Sequence, residues 1–159
     1  MPDYQDRTFD MYSGFLDIDG GKHIHYIFVE SQYDKLRDPV IVWFNGGPGC
    51  SSLLGFGAEH GPYIMKDGNT RFEQTLNEWS WNTNANVLYI ESPAGVGYSW
   101  LDAGYKPKPI YDDDITAKDA WNAINVWQGR FPEFNAAEIF IAGESYAGIY
   151  VPYLVHENL

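Results

Sequence analysis

The stretch "AEIFIAGESYAGIYVPYL" (residues 137–154) sets a serine between an apolar run and a helix-like segment. Residues 137–143 read as a short buried strand. The following "YAGIYVPYLVHENL" reads as a helix, with Pro152 in or near its first turns, where proline is tolerated best. Ser145 therefore stands at a strand-to-helix corner. Such a corner exposes a hydroxyl, and the helix N-terminus offers backbone N–H groups to a developing oxyanion. The usual pattern is Gly-x-Ser-x-Gly, small because strand and helix approach closely. This chain reads Gly143-Glu144-Ser145-Tyr146-Ala147-Gly148.

Upstream of this corner lie the other elements. "FDMYSGFLDI" (9–18) alternates loosely and ends at the turn "DGGK". "HIHYIFVES" (23–31) alternates with His23 and His25 on one face, most simply as strand residues. "PVIVWFN" (39–45) and "NVLYIES" (86–92) are continuous apolar runs, as in strands buried on both faces. "DDDITAKDAWNAINVWQGRF" (112–131) has helical spacing, with Ile115, Ala120, Ile124 and Trp127 near one side. Its leading aspartates suit a helix N-terminus, where cap and dipole favour negative charge. "DAGYKPKPIYDDD" (102–114) reads as a loop, and there is no internal repeat or low-complexity tract. Apolar strand, helix, apolar strand, turn, helix is the grammar of an α/β fold with a largely parallel central sheet, its three apolar strands neighbouring and buried.

Composition narrows the function classes. A chain of 159 residues with 45% apolar content supports one domain with a real core. A net charge of -12 argues against a nucleic-acid partner, whose phosphates require a basic face. No apolar run approaches the ~20 residues of a membrane span, so no membrane role is expected. The opening "MPDYQDRTF" shows no signal peptide, and the chain contains no Asn-x-Ser/Thr sequon. The one cysteine, Cys50, has no partner within the chain for a disulfide. No metal or other cofactor is indicated.

A second constellation, "WFNGGPGCSS" (43–52), leaves the strand "PVIVWFN" and turns at once into glycines. Adjacent glycines let backbone amides approach a ligand, and the loop after an early strand is where α/β-hydrolases place a second oxyanion donor. Together with the Ser145 turn, this loop reads as an oxyanion-donor loop and not as a plain tight turn.

"WFNGGPGCSSLLGFGAEHGPY", "NVLYIESPAGVGYSW" and "IAGESYAGIYVPYL", with "MYSGFLDI" and "HYIFVES", resemble the serine carboxypeptidase family, a branch of the α/β-hydrolases. The resemblance runs from about Phe9 to the end. It implies that Ser145 is the nucleophile and that the backbone N–H groups of Gly47 and Tyr146 form the oxyanion hole. It implies further that Asn45, the Gly46 amide, Glu59 and Glu144 bind the C-terminal carboxylate of a peptide or protein substrate, buttressed by Trp43. Two glutamates beside a substrate carboxylate would repel it unless they are close together and protonated, because close carboxyls raise each other's pKa. That arrangement implies peptide hydrolysis at acid pH, in a lysosomal, vacuolar or secreted setting.

The family's triad runs Ser, Asp, His, and the resemblance puts the last two beyond Leu159. His156 lies eleven residues past Ser145, or ~16 Å of helical rise, against the ~3 Å a nucleophile–base bond needs. His60 is the only other histidine near the site. Residues 1–159 therefore read as the N-terminal part of a single α/β-hydrolase domain, cut after the elbow and inactive alone. The cut would leave the "AEIFIAG" strand with an unpaired edge, and by the resemblance Cys50 is a structural thiol whose disulfide partner lies in the missing part. Two other functions stay open: an acyltransferase of the same family, and a catalytically dead, shortened binding module.

Overall fold

The computed structural model describes residues 8–65, 74–104 and 111–156. Strands β1 (Met11–Ile18), β2 (Lys22–Val29), β3 (Val40–Phe44), β6 (Asn86–Ile90), β7 (Trp100–Leu101) and β8 (Ile139–Gly143) form one sheet. Its order is β1-β2-β6-β3-β8, with β7 paired to β2. A separate hairpin, β4 (Tyr63–Met65) with β5 (Gln74–Leu76), was not legible as strands. Helices α1 (Asp113–Arg130) and α2 (Ala147–His156) complete the fold. Within the expected loop 102–114, residues 105–110 lie outside the described residues, as do 157–159 of the expected last helix.

The sheet is mixed, which corrects the expectation of a largely parallel one. β6, β3 and β8 run parallel as neighbours, as expected. β1 pairs antiparallel with β2, and β2 antiparallel with β6 and β7. For β1 and β2 the cause is the tight turn at 19–21, in which Gly20 and Gly21 take φ of 81° and 63°. So short a connection can only return the chain antiparallel. A second correction concerns β8. Its edge is unpaired among the described residues, as expected, but the strand is only half-buried and not buried, with Phe140 53% exposed, because there it pairs with β3 alone.

Both helices pack on one face of the sheet, where Ala120, Ile124, Trp127 and Leu154 meet Leu16, Phe28, Val42 and Leu88. Helix α1 begins as its aspartates predict: the Asp112 carboxylate accepts from the Ile115 amide at 2.8 Å. Ile115 itself is only half-buried, since the helix face turns on Ala117, Ala120, Ile124 and Trp127. Pro152 lies in the second turn of α2. On the opposite face Ile27, Val29, Trp43, Val87 and Tyr89 form a second core beneath Leu53 and Phe56. An ion pair also joins β2 to α1: Lys22 Nζ donates to both Asp119 oxygens at 2.6 Å, with both residues buried.

Candidate active site

Ser145 fills the gap between the end of β8 and the start of α2. It is exposed, and its φ of 55° makes it the one non-glycine with a left-handed backbone among the described residues. Holding such a conformation costs ~1–3 kcal/mol, which the surrounding structure must offset. Part of that offset is local: Ala147 N donates to the Glu144 carbonyl and Gly148 N to the Ser145 carbonyl, both at 2.9 Å. Small residues are needed here because a Cβ at Gly143 would fall 2.5 Å from Ala147 Cβ and 2.7 Å from the Phe44 carbonyl oxygen.

The loop after β3 closes onto this elbow. A Cβ at Gly46 would land on the Tyr146 amide nitrogen and 2.7 Å from the Glu144 carbonyl oxygen. Gly47, with φ of 113°, then turns the chain away through a conformation natural only to glycine. The loop is fastened by Cys50 N donating to the Gly46 carbonyl at 2.9 Å and by Gly49 N donating to Tyr150 Oη at 3.1 Å. Gly47 and Tyr146, expected as oxyanion donors, thus lie on two segments in van der Waals contact.

Asn45 is the hub. Its side chain is buried, and its Oδ1 accepts from Trp43 Nε1 and from the Gly55 amide, each at 2.9 Å. Those two bonds fix the amide's orientation, so Nδ2 faces outward as a donor. It donates to Glu144 Oε1 at 2.8 Å and to Glu59 Oε1 at 3.2 Å. Glu59 arrives there at the end of a π-helical turn, Gly55–Glu59. Its carboxyl therefore lies beside that of Glu144, which immediately precedes Ser145. Trp43, Asn45, Gly46, Glu59, Glu144 and Ser145, widely spaced in sequence, form one cluster.

His60 does not join it. The imidazole stacks on Trp81 at 4.1 Å and meets Trp43 edge-on at 4.3 Å, and its Nδ1 bonds Tyr89 Oη at 3.1 Å. Burial lowers its pKa to about 4, and burial, with the nearby Glu59 charge, likewise pushes the Tyr89 phenol up. Among the described residues no histidine hydrogen-bonds Ser145. His156 closes α2, His23 is held by Asp17 and Asp102, and His25 by Glu91 and Ser13. Cys50 is free and exposed.

Several contributors escaped the sequence reading. Ser52 Oγ accepts from the Asn45 amide at 3.2 Å, and Trp81 forms the wall under His60. Tyr146 Oη bonds both Asp113 oxygens at 3.3 Å, tying the elbow to the first turn of α1. Desolvation and the Asp113 charge raise the Tyr146 pKa. Only the "GCSS" run offered a hint, and it did not specify which serine turns inward.

Comparison with known proteins places the chain in a family. A family model described as "Serine carboxypeptidase" matches residues 2–159. The "Lysosomal protective protein" of Mus musculus is 46% identical over 147 residues, covering 92% of this chain and 30% of that protein. "Serine carboxypeptidase-like 20" of Arabidopsis thaliana is 44% identical, over 92% of this chain and 30% of its own length. "Carboxypeptidase Y homolog A" of Ajellomyces capsulatus is 40% identical, over 94% and 26%. The chain thus spans under a third of the relatives it matches. Among solved structures, "Bacterial Heroin Esterase" superposes with a TM-score of 0.53 at 15% identity, over 94% of this chain and 39% of that one, a likeness of fold. The site and the match across residues 2–159 lead to one conclusion: the chain belongs to the serine carboxypeptidase family.

Proposed function

We propose that Ser145 is the nucleophile of a serine-type carboxypeptidase that releases the last residue of peptides or proteins through an acyl-enzyme. The observation that carries this reading is the pairing of Glu59 and Glu144 on the single donor Asn45 Nδ2, next to the left-handed Ser145. An exopeptidase must hold a free carboxylate one residue from the bond it breaks. Asn45, the Gly46 amide and the two glutamates are grouped for that task, with Trp43 fixing the Asn45 amide. Two ionised glutamates would repel a third carboxylate, so the site needs a proton on the pair, and the reading places the activity at acid pH. Acid compartments, lysosomal or vacuolar, or secretion follow from that requirement. That the mouse relative is a lysosomal protein by name supports it.

Ser145 Oγ attacks the scissile carbonyl, whose oxygen is met by the amides of Gly47 and Tyr146. The proton it loses needs a base, and the histidine and aspartate of the triad are assigned to sequence outside residues 1–159. The chain by itself is then inactive as a peptidase, since triad members act as a unit. The test joins residues 1–159 to the C-terminal part of the mouse relative. This folded chimera should release the last residue of an N-blocked dipeptide at acid pH, and Ser145→Ala should abolish release. A folded chimera without Ser145-dependent release would end the proposal.

A further inference from the structure

A second serine stands before a histidine and an acid, far from Ser145. On the first two strands Ser13 Oγ lies 3.0 Å from His25 Nε2, and His25 Nδ1 lies 2.9 Å from Glu91 Oε2. Glu91 is fully buried and His25 is 8% exposed, while Ser13 is exposed on β1. Serine, imidazole and carboxylate thus stand in the order and at the separations that an activated nucleophile requires. We propose that Ser13, His25 and Glu91 form a second nucleophilic site, whose serine is acylated by small esters with a good leaving group.

The proton arrangement follows from the partners of Glu91. Its carboxylate takes hydrogen bonds from Ser51 Oγ, from the Tyr98 amide at 2.9 Å and from His25. Burial alone would raise its pKa, yet these bonds outweigh burial and hold it below the ordinary carboxylate value. An ionised Glu91 only accepts, so in the neutral imidazole the proton sits on Nδ1. Nε2 is then left to accept the Ser13 hydroxyl proton. The Glu91 backbone carbonyl is anchored too, accepting from Ser99 Oγ at 2.6 Å, while that oxygen accepts from the His25 amide at 2.8 Å. Base and acid are locked in place, His25 on β2 and Glu91 just after β6.

The surroundings and the magnitudes fix the substrate class. Phe15 and Tyr98 flank the imidazole at 5.5 and 5.3 Å, and they are 40% and 69% exposed. Both rings stand open to solvent beside the imidazole, an aromatic surround suited to a small apolar acyl group. Base assistance is worth ~10²–10⁴ in rate, against the 10⁶ or more by which enzymes commonly accelerate their reactions. The array suffices for activated esters and falls short for amides. In the step, Ser13 Oγ bonds the acyl carbon and the leaving alkoxide departs with its electron pair. The Ser13 proton passes through His25 Nε2 to that alkoxide, giving acyl-Ser13 and a free alcohol.

The test is independent of the carboxypeptidase reading. Residues 1–159 carrying Ser145→Ala are treated with a fluorophosphonate, an activated donor with fluoride as the leaving group. Trypsin then yields peptide 8–22, whose single serine is Ser13. The folded protein should be labelled on that peptide, and Ser13→Ala should remove the label. His25→Gln should slow labelling about a hundredfold, and so should unfolding in urea, a comparison that needs no variant. Absence of label on peptide 8–22, or equal rates in urea or in a folded His25→Gln variant, would overturn the proposal. In the unsubstituted chain, Ser145 lies on peptide 131–159, so its label is read separately.

Discussion

Glu59 and Glu144 accept hydrogen bonds from one nitrogen, Asn45 Nδ2, at 3.2 and 2.8 Å. Glu59 comes from a π-helical turn and Glu144 from the turn that carries Ser145, so Asn45 ties those two segments together. Asn45→Ala would orphan the Trp43 indole N–H and the Gly55 amide, at about 1–3 kcal/mol for each buried group. Urea unfolding should show a loss of that order. An unchanged midpoint would mean that the hub is not structural.

Glu144→Gln should shift the chimera's activity to higher pH. A neutral amide keeps a hydrogen-bond donor for the substrate carboxylate without needing a proton from solvent. A pH profile of kcat/KM should lose its fall toward neutrality and keep a substantial rate at acid pH. Loss of activity at every pH would contradict the proposed role of the pair.

His60 makes stability depend on pH in a stated direction. Its folded pKa of about 4 lies below the ordinary 6.5, so between these values the unfolded chain binds the extra proton. This contribution is full above about pH 6.5 and is lost as pH falls toward 4. Urea midpoints measured at neutral and mildly acid pH should fall less in His60→Phe than in the parent. Equal slopes would show that His60 is protonated in the fold without penalty.

The buried pair between β2 and α1 should show the cost of an uncompensated charge. Asp119→Ala leaves Lys22 buried without its carboxylate, which typically destabilises by about 3–5 kcal/mol. Thermal unfolding measures it. A loss below about 1 kcal/mol would mean that Lys22 escapes to water.

What could be read before the structure was local. "PVIVWFN", "NVLYIES" and "AEIFIAG" declare parallel neighbours by their continuous apolar runs, and Asp112 declares the start of α1 through its cap. The elbow is equally local, since Gly143, Ser145 and Ala147 fall within five residues. The antiparallel half of the sheet was missed because "HIHYIFVES" alternates in either direction; only its partners decide. Lys22–Asp119 and His25–Glu91 stayed hidden because their members stand 97 and 66 residues apart, and neither spacing nor composition encodes such a meeting. His60 was placed near the site by its position after Glu59. Its aromatic enclosure by Trp43, Trp81 and Tyr89, which removes it as a base, is a product of packing alone.

The most direct test compares two substrates differing only at the group that Asn45, Glu59 and Glu144 are proposed to read. The chimera of residues 1–159 with the C-terminal part of the mouse relative is given an N-blocked dipeptide as the free acid and as its C-terminal amide, at acid pH. The account predicts Ser145-dependent hydrolysis of the free acid, with the amide at least about a hundredfold slower in kcat/KM. Equal rates on the two, or turnover that persists in Ser145→Ala, would contradict it.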